Sequence, residues 1–180
     1  MRVIAGAFKG RRLKAPSWNG LRPTSDKLRE TLFNILGARI EGARVLDAYA
    51  GTGAIGIEAL SRGAAHVTFI DADRRATALI EQNVAACGAD VPHLIVRGDV
   101  ADVLRRMPTS SLFDVVVLDP PYDAAGVPDA LSAAGARLAA GGVLVLERAT
   151  RREPDTPAPL TRTRDVKSGD STLTFYTISA

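Results

Sequence analysis

One segment of the chain carries residue types that suit chemistry on an amino group. Asp119-Pro-Pro-Tyr122 directly follows the apolar run Val115–Leu118, which predicts a position at the carboxyl end of a buried strand. The amino group of a nucleic-acid base is a poor nucleophile, because its lone pair is delocalised into the ring. The Asp119 carboxylate and the Pro120 carbonyl can each accept one N–H, which turns the lone pair outward and stabilises the charge that develops on nitrogen.

Tyr122 completes this motif, since its ring offers a face on which an unpaired base can stack. The predicted catalytic residues are therefore Asp119, Pro120 and Tyr122. The alternative is a proline-rich turn in which the aspartate is structural and the tyrosine packs.

A second segment has the spacing of a nucleotide-binding turn. Gly51, Gly53 and Gly56 match the pattern G-x-G-x-x-G between a predicted strand and a predicted helix. That pattern alone is weak, but Asp71 ends the next predicted strand 20 residues after Gly51. A carboxylate at that place can accept hydrogen bonds from ribose hydroxyls, so these residues predict a cofactor that contains a nucleoside.

Asp47 indicates which cofactor this is. It stands just before the glycines, where a dinucleotide would place its pyrophosphate. A fixed carboxylate repels pyrophosphate, whereas the ammonium and the sulfonium of S-adenosylmethionine are cationic. The sequence therefore predicts S-adenosylmethionine bound by Asp47, Gly51, Gly53 and Asp71. A capping role for Asp47 and a turn without a ligand stay open as alternatives.

Asp99 follows the third predicted strand and suits two roles equally well. It could accept from the adenine amino group of the cofactor, or it could be the N-cap of the next helix. It is therefore a candidate cofactor ligand with both roles open.

Positive charge is concentrated near the N-terminus. The net charge of the 180 residues is +3, yet residues 1–30 hold eight Lys and Arg against two acidic residues. A basic segment on a mildly acidic body is typical of nucleic-acid binders, and a solvated tail is an equally weighted alternative. The residues expected to contact RNA are Arg11, Arg12, Lys14, Arg22 and Tyr122.

Composition argues against several classes of protein. The single cysteine, Cys87, excludes an internal disulfide framework and a cysteine-built zinc site, and His66 and His93 lack metal-ligand spacing. The sequence has no apolar stretch of about 18 residues, so we expect no membrane span. The basic N-terminus lacks the apolar segment of a secretory signal. We expect a cytoplasmic monomer that binds no metal and no membrane.

The order of the apolar runs predicts the scaffold. A short basic hairpin precedes a helix that Thr24 or Ser25 can cap and that extends to about Arg39. The predicted strands that follow are Arg44–Asp47, His66–Asp71, His93–Val96, Phe113–Leu118, Gly142–Glu147, Thr161–Lys167 and Thr172–Ser179. The predicted helices between them are Ile55–Ser61, Arg74–Ala86, Ala101–Met107 and Pro128–Leu138.

This alternation predicts an α/β, Rossmann-like fold with a mostly parallel sheet and a C-terminal antiparallel hairpin. Ligands then bind at the carboxyl ends of the strands. We expect two parts, a basic extension over residues 1–23 and a catalytic domain over residues 24–180.

The motifs together resemble a known family. Asp47-Ala-Tyr-Ala-Gly-Thr-Gly53 followed by Asp119-Pro-Pro-Tyr122 looks like a class I methyltransferase that acts on exocyclic amines. The stretches that look more specifically like the RsmD-type bacterial 16S rRNA guanine-N2 methyltransferases are Arg22–Asn34, Glu58–Ala64 and Gly169–Ser171. The resemblance implies a seven-stranded sheet with an N-terminal basic hairpin, and methylation of N2 of guanine 966 in a partly assembled small ribosomal subunit.

Carried over, the resemblance implies that Asp71 binds ribose, that Asp99 binds adenine and that Asp119 and Tyr122 face the guanine. For the Arg-Pro-Thr segment it leaves two roles equally open: Arg22 could contact an RNA phosphate, and Thr24 could cap the helix. It assigns no role to Glu147.

Three other functions stay open on the residues alone. An adenine-N6 methyltransferase needs the same amine chemistry, and a nicotinamide-dependent oxidoreductase shares the glycine turn. A non-catalytic RNA-binding assembly factor would keep the basic segment without any need for Asp119.

Overall fold

The computed structural model describes residues 1–18, 25–88 and 92–178, which form seven strands and five α-helices. The strands are β1 (Arg44–Ala48), β2 (His66–Asp71), β3 (His93–Arg97), β4 (Phe113–Leu118), β5 (Leu138–Ala149), β6 (Leu160–Ser168) and β7 (Ser171–Ile178). The helices are α1 (Asp26–Leu36), α2 (Ala54–Ser61), α3 (Arg74–Ala86), α4 (Val100–Arg106) and α5 (Val127–Gly135). None of these helices is long and apolar enough to cross a membrane.

All seven strands belong to one sheet with the order β3-β2-β1-β4-β5-β7-β6. Strands β1 to β5 pair in parallel, and β7 pairs antiparallel with both β5 and β6. The predicted α/β fold with a C-terminal antiparallel hairpin is therefore confirmed.

Side chains of the central strands alternate between two buried faces. Val45, Val117 and Val145 belong to the apolar core under α1, α2 and α3. Leu46 and Val116, one position away, belong to the core under α4 and α5. Because alternate residues of a strand face the same side, an acid two positions beyond each of those valines faces the α1–α3 side.

Two predicted helices end earlier than expected, and the strand predicted as Gly142–Glu147 is longer, Leu138–Ala149. The last predicted helix was expected to reach Leu138, but α5 ends at Gly135 and Leu138 begins β5 opposite Phe113. Arg137 explains the change of direction, because its guanidinium donates to the carbonyls of Leu104 and Met107 at 3.0 and 2.7 Å and ties the chain to the end of α4.

The first predicted helix was expected to reach Arg39, but α1 ends at Leu36 and a 3-10 turn covers Gly37–Ile40. Gly37 ends the helix in the positive-φ region at 52°. At the other end Ser25 is the N-cap, with its Oγ accepting from the Leu28 N–H at 3.1 Å, whereas Thr24 lies outside the described residues.

The predicted N-terminal hairpin is present as an antiparallel bridge between Arg2 and Arg12, and the Val3 N–H donates across it to Arg11 O at 3.0 Å. Val3 and Leu13 are buried in the α1–α3 core, so residues 1–14 pack on the body rather than form a solvated tail. The division between residues 23 and 24 falls in a stretch outside the described residues and stays a prediction.

Glu58 on α2 holds this N-terminal segment in place. Its fully buried carboxylate accepts from the N–H groups of Ile4 and Ala5 at 2.7 and 3.0 Å, and from Arg62 Nε at 2.8 Å. Arg29 of α1, also fully buried, lies 4.0 Å from the same carboxylate. One buried acid therefore joins the N-terminal segment, α1 and α2.

We predict that Glu58→Gln lowers the free energy of unfolding by about 3 kcal/mol, because an amide N–H replaces one acceptor oxygen and leaves a buried cation less well paired. Urea unfolding measures the loss, and hydrogen exchange should accelerate at the amides of Ile4 and Ala5. The matched control is Glu81→Gln at an exposed position of α3, expected to change stability by less than about 0.5 kcal/mol. Equal stabilities of the two variants would contradict the role of Glu58.

Candidate active site

A cleft of about 640 Å³ lies at the carboxyl ends of the parallel strands. Four acids that end neighbouring strands line it: Asp71 of β2, Asp47 of β1, Asp119 after β4 and Glu147 of β5. Each of them continues the row of side chains on the α1–α3 face of its strand. The sheet therefore places four carboxyl groups side by side along one wall of the cleft.

The glycine turn between β1 and α2 forms the floor of the cleft. Tyr49 has a φ of 59°, which is unusual for a residue with a side chain, and Gly53 is the N-cap of α2 with a φ of 75°. Gly56 meets a different requirement, since a Cβ there would lie 2.2 Å from the Phe69 ring of β2. The first two glycines of the pattern thus shape the turn, and the third lets α2 pack on the sheet.

Asp47 is the most buried of the four acids, with 1% exposure. Its Oδ2 accepts from the Gly56 N–H at 2.7 Å, in the first turn of α2. The pKa of Asp47 is raised to about 8, mainly by burial, which the hydrogen bond from Gly56 opposes and the neighbouring Asp71 reinforces. The capping role considered for Asp47 is therefore present, and the residue also lines the cleft.

Asp71 links the end of β2 to the glycine turn. Its Oδ2 accepts from the Gly51 N–H at 2.8 Å, and its Oδ1 accepts from the Asp73 N–H at 2.9 Å. Each carboxylate oxygen can accept more than one hydrogen bond, so these contacts leave capacity for a ligand.

Asp99 is exposed and does not belong to the residues that line the cleft. Its Oδ1 accepts from the Asp102 N–H at 3.1 Å, so it is the N-cap of α4. It lies close enough to Tyr49 to raise the pKa of that phenol, which burial first and Asp99 second bring to about 12. Of the two roles left open for Asp99 the cap is observed, and contact with adenine stays a prediction.

The Asp119-Pro-Pro-Tyr122 segment lines the side of the cleft next to β5. The Asp119 N–H donates to Ala48 O at 3.2 Å, which fixes the start of the segment beside β1. At the other end Arg152 Nη1 donates to Tyr122 O at 2.5 Å, and the Tyr122 hydroxyl shares a hydrogen bond of 2.5 Å with Ser171 Oγ. Both the backbone and the ring of Tyr122 are therefore held.

The sequence-based prediction assigned no role to Glu147, Ser171 and Trp18, which are among the residues that line the cleft. Glu147 follows the apolar run Val143–Leu146 just as Asp119 follows Val115–Leu118, and that repeated pattern could have marked it. Ser171 reaches the cleft through the antiparallel pairing of β7 with β5, which no local motif reveals.

The predicted RNA-binding residues Arg11, Arg12 and Lys14 are exposed, and the first and last of them contact α3. Arg11 Nη1 donates to Ala86 O at 3.3 Å, and Lys14 Nζ donates to Gln82 Oε1 at 2.9 Å. Arg22 lies outside the described residues.

Trp18 connects this basic surface with the cleft. Arg75 stacks over its ring at 4.9 Å and pairs with Asp73 at 2.6 Å. Trp18 and Arg75 line both the cleft and a shallow groove that Lys14 also borders. A groove bordered by Lys14, Arg75 and the ring of Trp18 therefore adjoins the cleft.

Sequence comparison finds relatives over most of the chain. The putative rRNA methyltransferase YlbH of Bacillus subtilis is 41% identical over 123 residues, which are 68% of this chain and 67% of that protein. The ribosomal RNA small subunit methyltransferase D of Haemophilus influenzae is 40% identical over 124 residues, which are 68% of this chain and 64% of that protein. The aligned stretch thus spans about two thirds of these curated relatives' own length.

Comparison with solved structures also finds proteins that resemble this chain over its whole length. The putative methyltransferase yhhF of Escherichia coli superposes with a TM-score of 0.86 at 32% identity and covers 100% of this chain and 98% of that chain.

A family model described as "Conserved hypothetical protein 95" matches residues 1–177. That match and the relatives at 40% identity and above agree with the resemblance drawn from the motifs. The chain belongs to this family, the RsmD-type methyltransferases.

Proposed function

We propose that the protein transfers the methyl group of S-adenosylmethionine to the exocyclic N2 amino group of guanine 966 in 16S rRNA. One observation carries the proposal: a single cleft brings the acid pair Asp47 and Asp71 next to the amine-binding segment that begins at Asp119. Membership of a family whose relatives carry the name of rRNA methyltransferases supports the substrate class.

The residues of the glycine turn fit a cationic cofactor. Pyrophosphate is usually held by free N–H groups at a helix N-terminus. Here the Gly56 N–H donates to Asp47 and the Gly51 N–H donates to Asp71, so both amides already serve carboxylates. This arrangement favours S-adenosylmethionine over a dinucleotide and argues against the oxidoreductase alternative.

When bound, S-adenosylmethionine supplies a methyl group on an electron-poor sulfur. Asp47 would then face its cationic amino-acid part, whose charge favours the ionised form of this carboxyl group, and Asp71 would accept from its ribose hydroxyls. Displacement at sulfur needs a nucleophile in line and no covalent enzyme intermediate, so the main task of the protein is positioning.

The target amine is positioned by the Asp119 segment. The Asp119 carboxylate and the Pro120 carbonyl accept the two amino hydrogens, and the ring of Tyr122 supports the face of the base. Because Arg152 and Ser171 hold Tyr122 at its carbonyl and its hydroxyl, the ring is oriented before the base arrives.

RNA would approach along the basic surface of Arg11, Arg12 and Lys14 and past Trp18, and Arg22 would add a phosphate contact. We further propose that the substrate is a small ribosomal subunit or its assembly intermediate. We also propose that the enzyme is a monomer and acts in the cytoplasm. Mass spectrometry of rRNA nucleosides from cells with and without the protein tests the reaction. Loss of N2-methylguanosine supports it, whereas loss of N6-methyladenosine would point to the adenine enzyme.

We predict that Asp119→Ala lowers kcat by at least about 100-fold, because the amine loses the acceptor that orients it, while binding of S-adenosylmethionine is retained. Methyl incorporation and calorimetric titration of the cofactor measure the two effects separately. Asp129→Asn, an exposed position of α5, is the control and should match the wild type. Retained turnover together with lost cofactor binding would contradict the assignment.

We predict that replacing Arg11 and Arg12 with Gln weakens RNA binding and lowers the slope of log K against log salt by about 0.7 for each lost phosphate contact. Binding titrations at several salt concentrations measure that slope. The control replaces Arg105 and Arg106 with Gln on α4, which packs on the opposite face of the sheet. An identical slope for both double variants would remove Arg11 and Arg12 from the interface.

We predict that Asp47→Asn makes protein stability less dependent on pH. The pKa of Asp47 is about 8 in the fold against an ordinary value of 3.8, so between these values the folded state holds a proton that the unfolded state has lost. The contribution of Asp47 to the free energy of unfolding therefore falls as pH rises through that window.

Urea unfolding at pH 5, 6, 7 and 8 checks this expectation. Asn cannot ionise, so the variant should gain stability relative to the wild type as pH rises. The exposed Asp155→Asn serves as the reference, and parallel pH profiles for all three proteins would show that Asp47 is ionised in the fold.

A further inference from the structure

Glu147 is a cleft residue that the proposed reaction does not yet use. It lies next to Asp119, because Leu118 of β4 pairs in register with Leu146 of β5 and each acid is the following residue. Neighbouring parallel strands are about 4.8 Å apart, and both side chains face the same side of the sheet. Two carboxyl groups therefore stand together at the end of the cleft where the target base would lie.

The carboxyl group of Glu147 is held by only one of its oxygens. Its Oε1 accepts from Ser171 Oγ at 3.1 Å, and Ser171 also bonds to the hydroxyl of Tyr122. Its Oε2 is buried and has no hydrogen-bond partner among the residues that the structure describes. With 7% exposure, the side chain keeps a buried acceptor that lacks a donor.

A buried acceptor without a donor costs free energy, and such a group in a native cleft calls for an explanation. A bound ligand could provide the missing hydrogen-bond donor, because Glu147 lines the cleft beside Asp119 and Tyr122. This donor must lie next to the amino group whose N–H the Asp119 carboxylate accepts.

Guanine carries such a pair of donors. Its N2 amino group and its N1–H are adjacent on the Watson–Crick edge, whereas adenine and cytosine present a ring nitrogen acceptor beside their amino group. An acceptor opposite Glu147 Oε2 would face another acceptor, so the same oxygen that fits guanine rejects the other two bases.

We propose that Glu147 is a specificity residue that accepts the N1–H of the target guanine. This inference rests on the proposed function, since it takes the methylated amine to be N2 of guanine. Ser171 fixes one oxygen of Glu147 and the ring of Tyr122 at once, so the edge and the face of the base are set by one connected group of side chains.

The test compares guanine with 2-aminopurine at the target position of the RNA or ribosomal particle that the wild type methylates. Both bases carry the 2-amino group, but N1 of 2-aminopurine is an acceptor. The wild type should favour guanine by about 100-fold or more in kcat/KM, because a site built for a donor rejects an analogue that lacks it. Equal rates on the two substrates would overturn the proposal without any variant.

Glu147→Gln should remove most of this preference. Its amide oxygen can accept from Ser171 while its amide N–H faces the ring nitrogen, so guanine should lose about 100-fold in kcat/KM and 2-aminopurine less than about tenfold. Glu41→Gln, an exposed position after α1, is the control and should keep the wild-type ratio.

A structural role for Glu147 predicts a different result, namely an equal loss on both substrates. That outcome would overturn the specificity role and leave the proposed reaction intact. A wild type that methylates adenine and no guanine would overturn both.

Discussion

The arrangement of this site depends on four carboxyl groups that share one wall of a cleft. Asp71, Asp47, Asp119 and Glu147 stand at the ends of four adjacent strands, where burial removes water that would otherwise screen them. Asp47 shows the consequence most directly, since burial and a neighbouring carboxylate raise its pKa to about 8. Such a row suits ligands that bring positive charge or N–H donors, and it disfavours phosphate.

Much of this arrangement could be predicted from the sequence, because acids that follow apolar runs mark strand ends. Asp47, Asp71 and Asp119 were found in that way. Glu147 carries the same local signal. Its position in the site, however, depends on the register of β4 with β5 and on the contact with Ser171 from β7, and neither can be read from the neighbouring sequence. Asp99 was ambiguous because an N-cap and an adenine ligand require the same residue type at the same place.

The boundary errors have a comparable origin. Residues up to Leu138 favour a helix locally, yet tertiary contacts of Arg137 with carbonyls at the end of α4 turn the chain into β5 earlier. The basic hairpin was predicted from sequence runs and has cross-strand backbone hydrogen bonds, but its further bonds to Glu58 and Ser61 of α2 could not be read from those runs. Long-range polar contacts thus determine the course of the chain where the local preference for a helix or a strand is weak.

The anchoring of the N-terminal segment has a consequence for the order of folding. Ile4 and Ala5 bond to a residue more than 50 positions later, and Lys14 bonds to Asn83, 69 positions away. During synthesis these first residues emerge well before their partners exist, and loop closure must precede the contacts. Residues 1–14 can therefore make these contacts only where α2 and α3 are already in place, and without them the basic surface that flanks the cleft is not assembled.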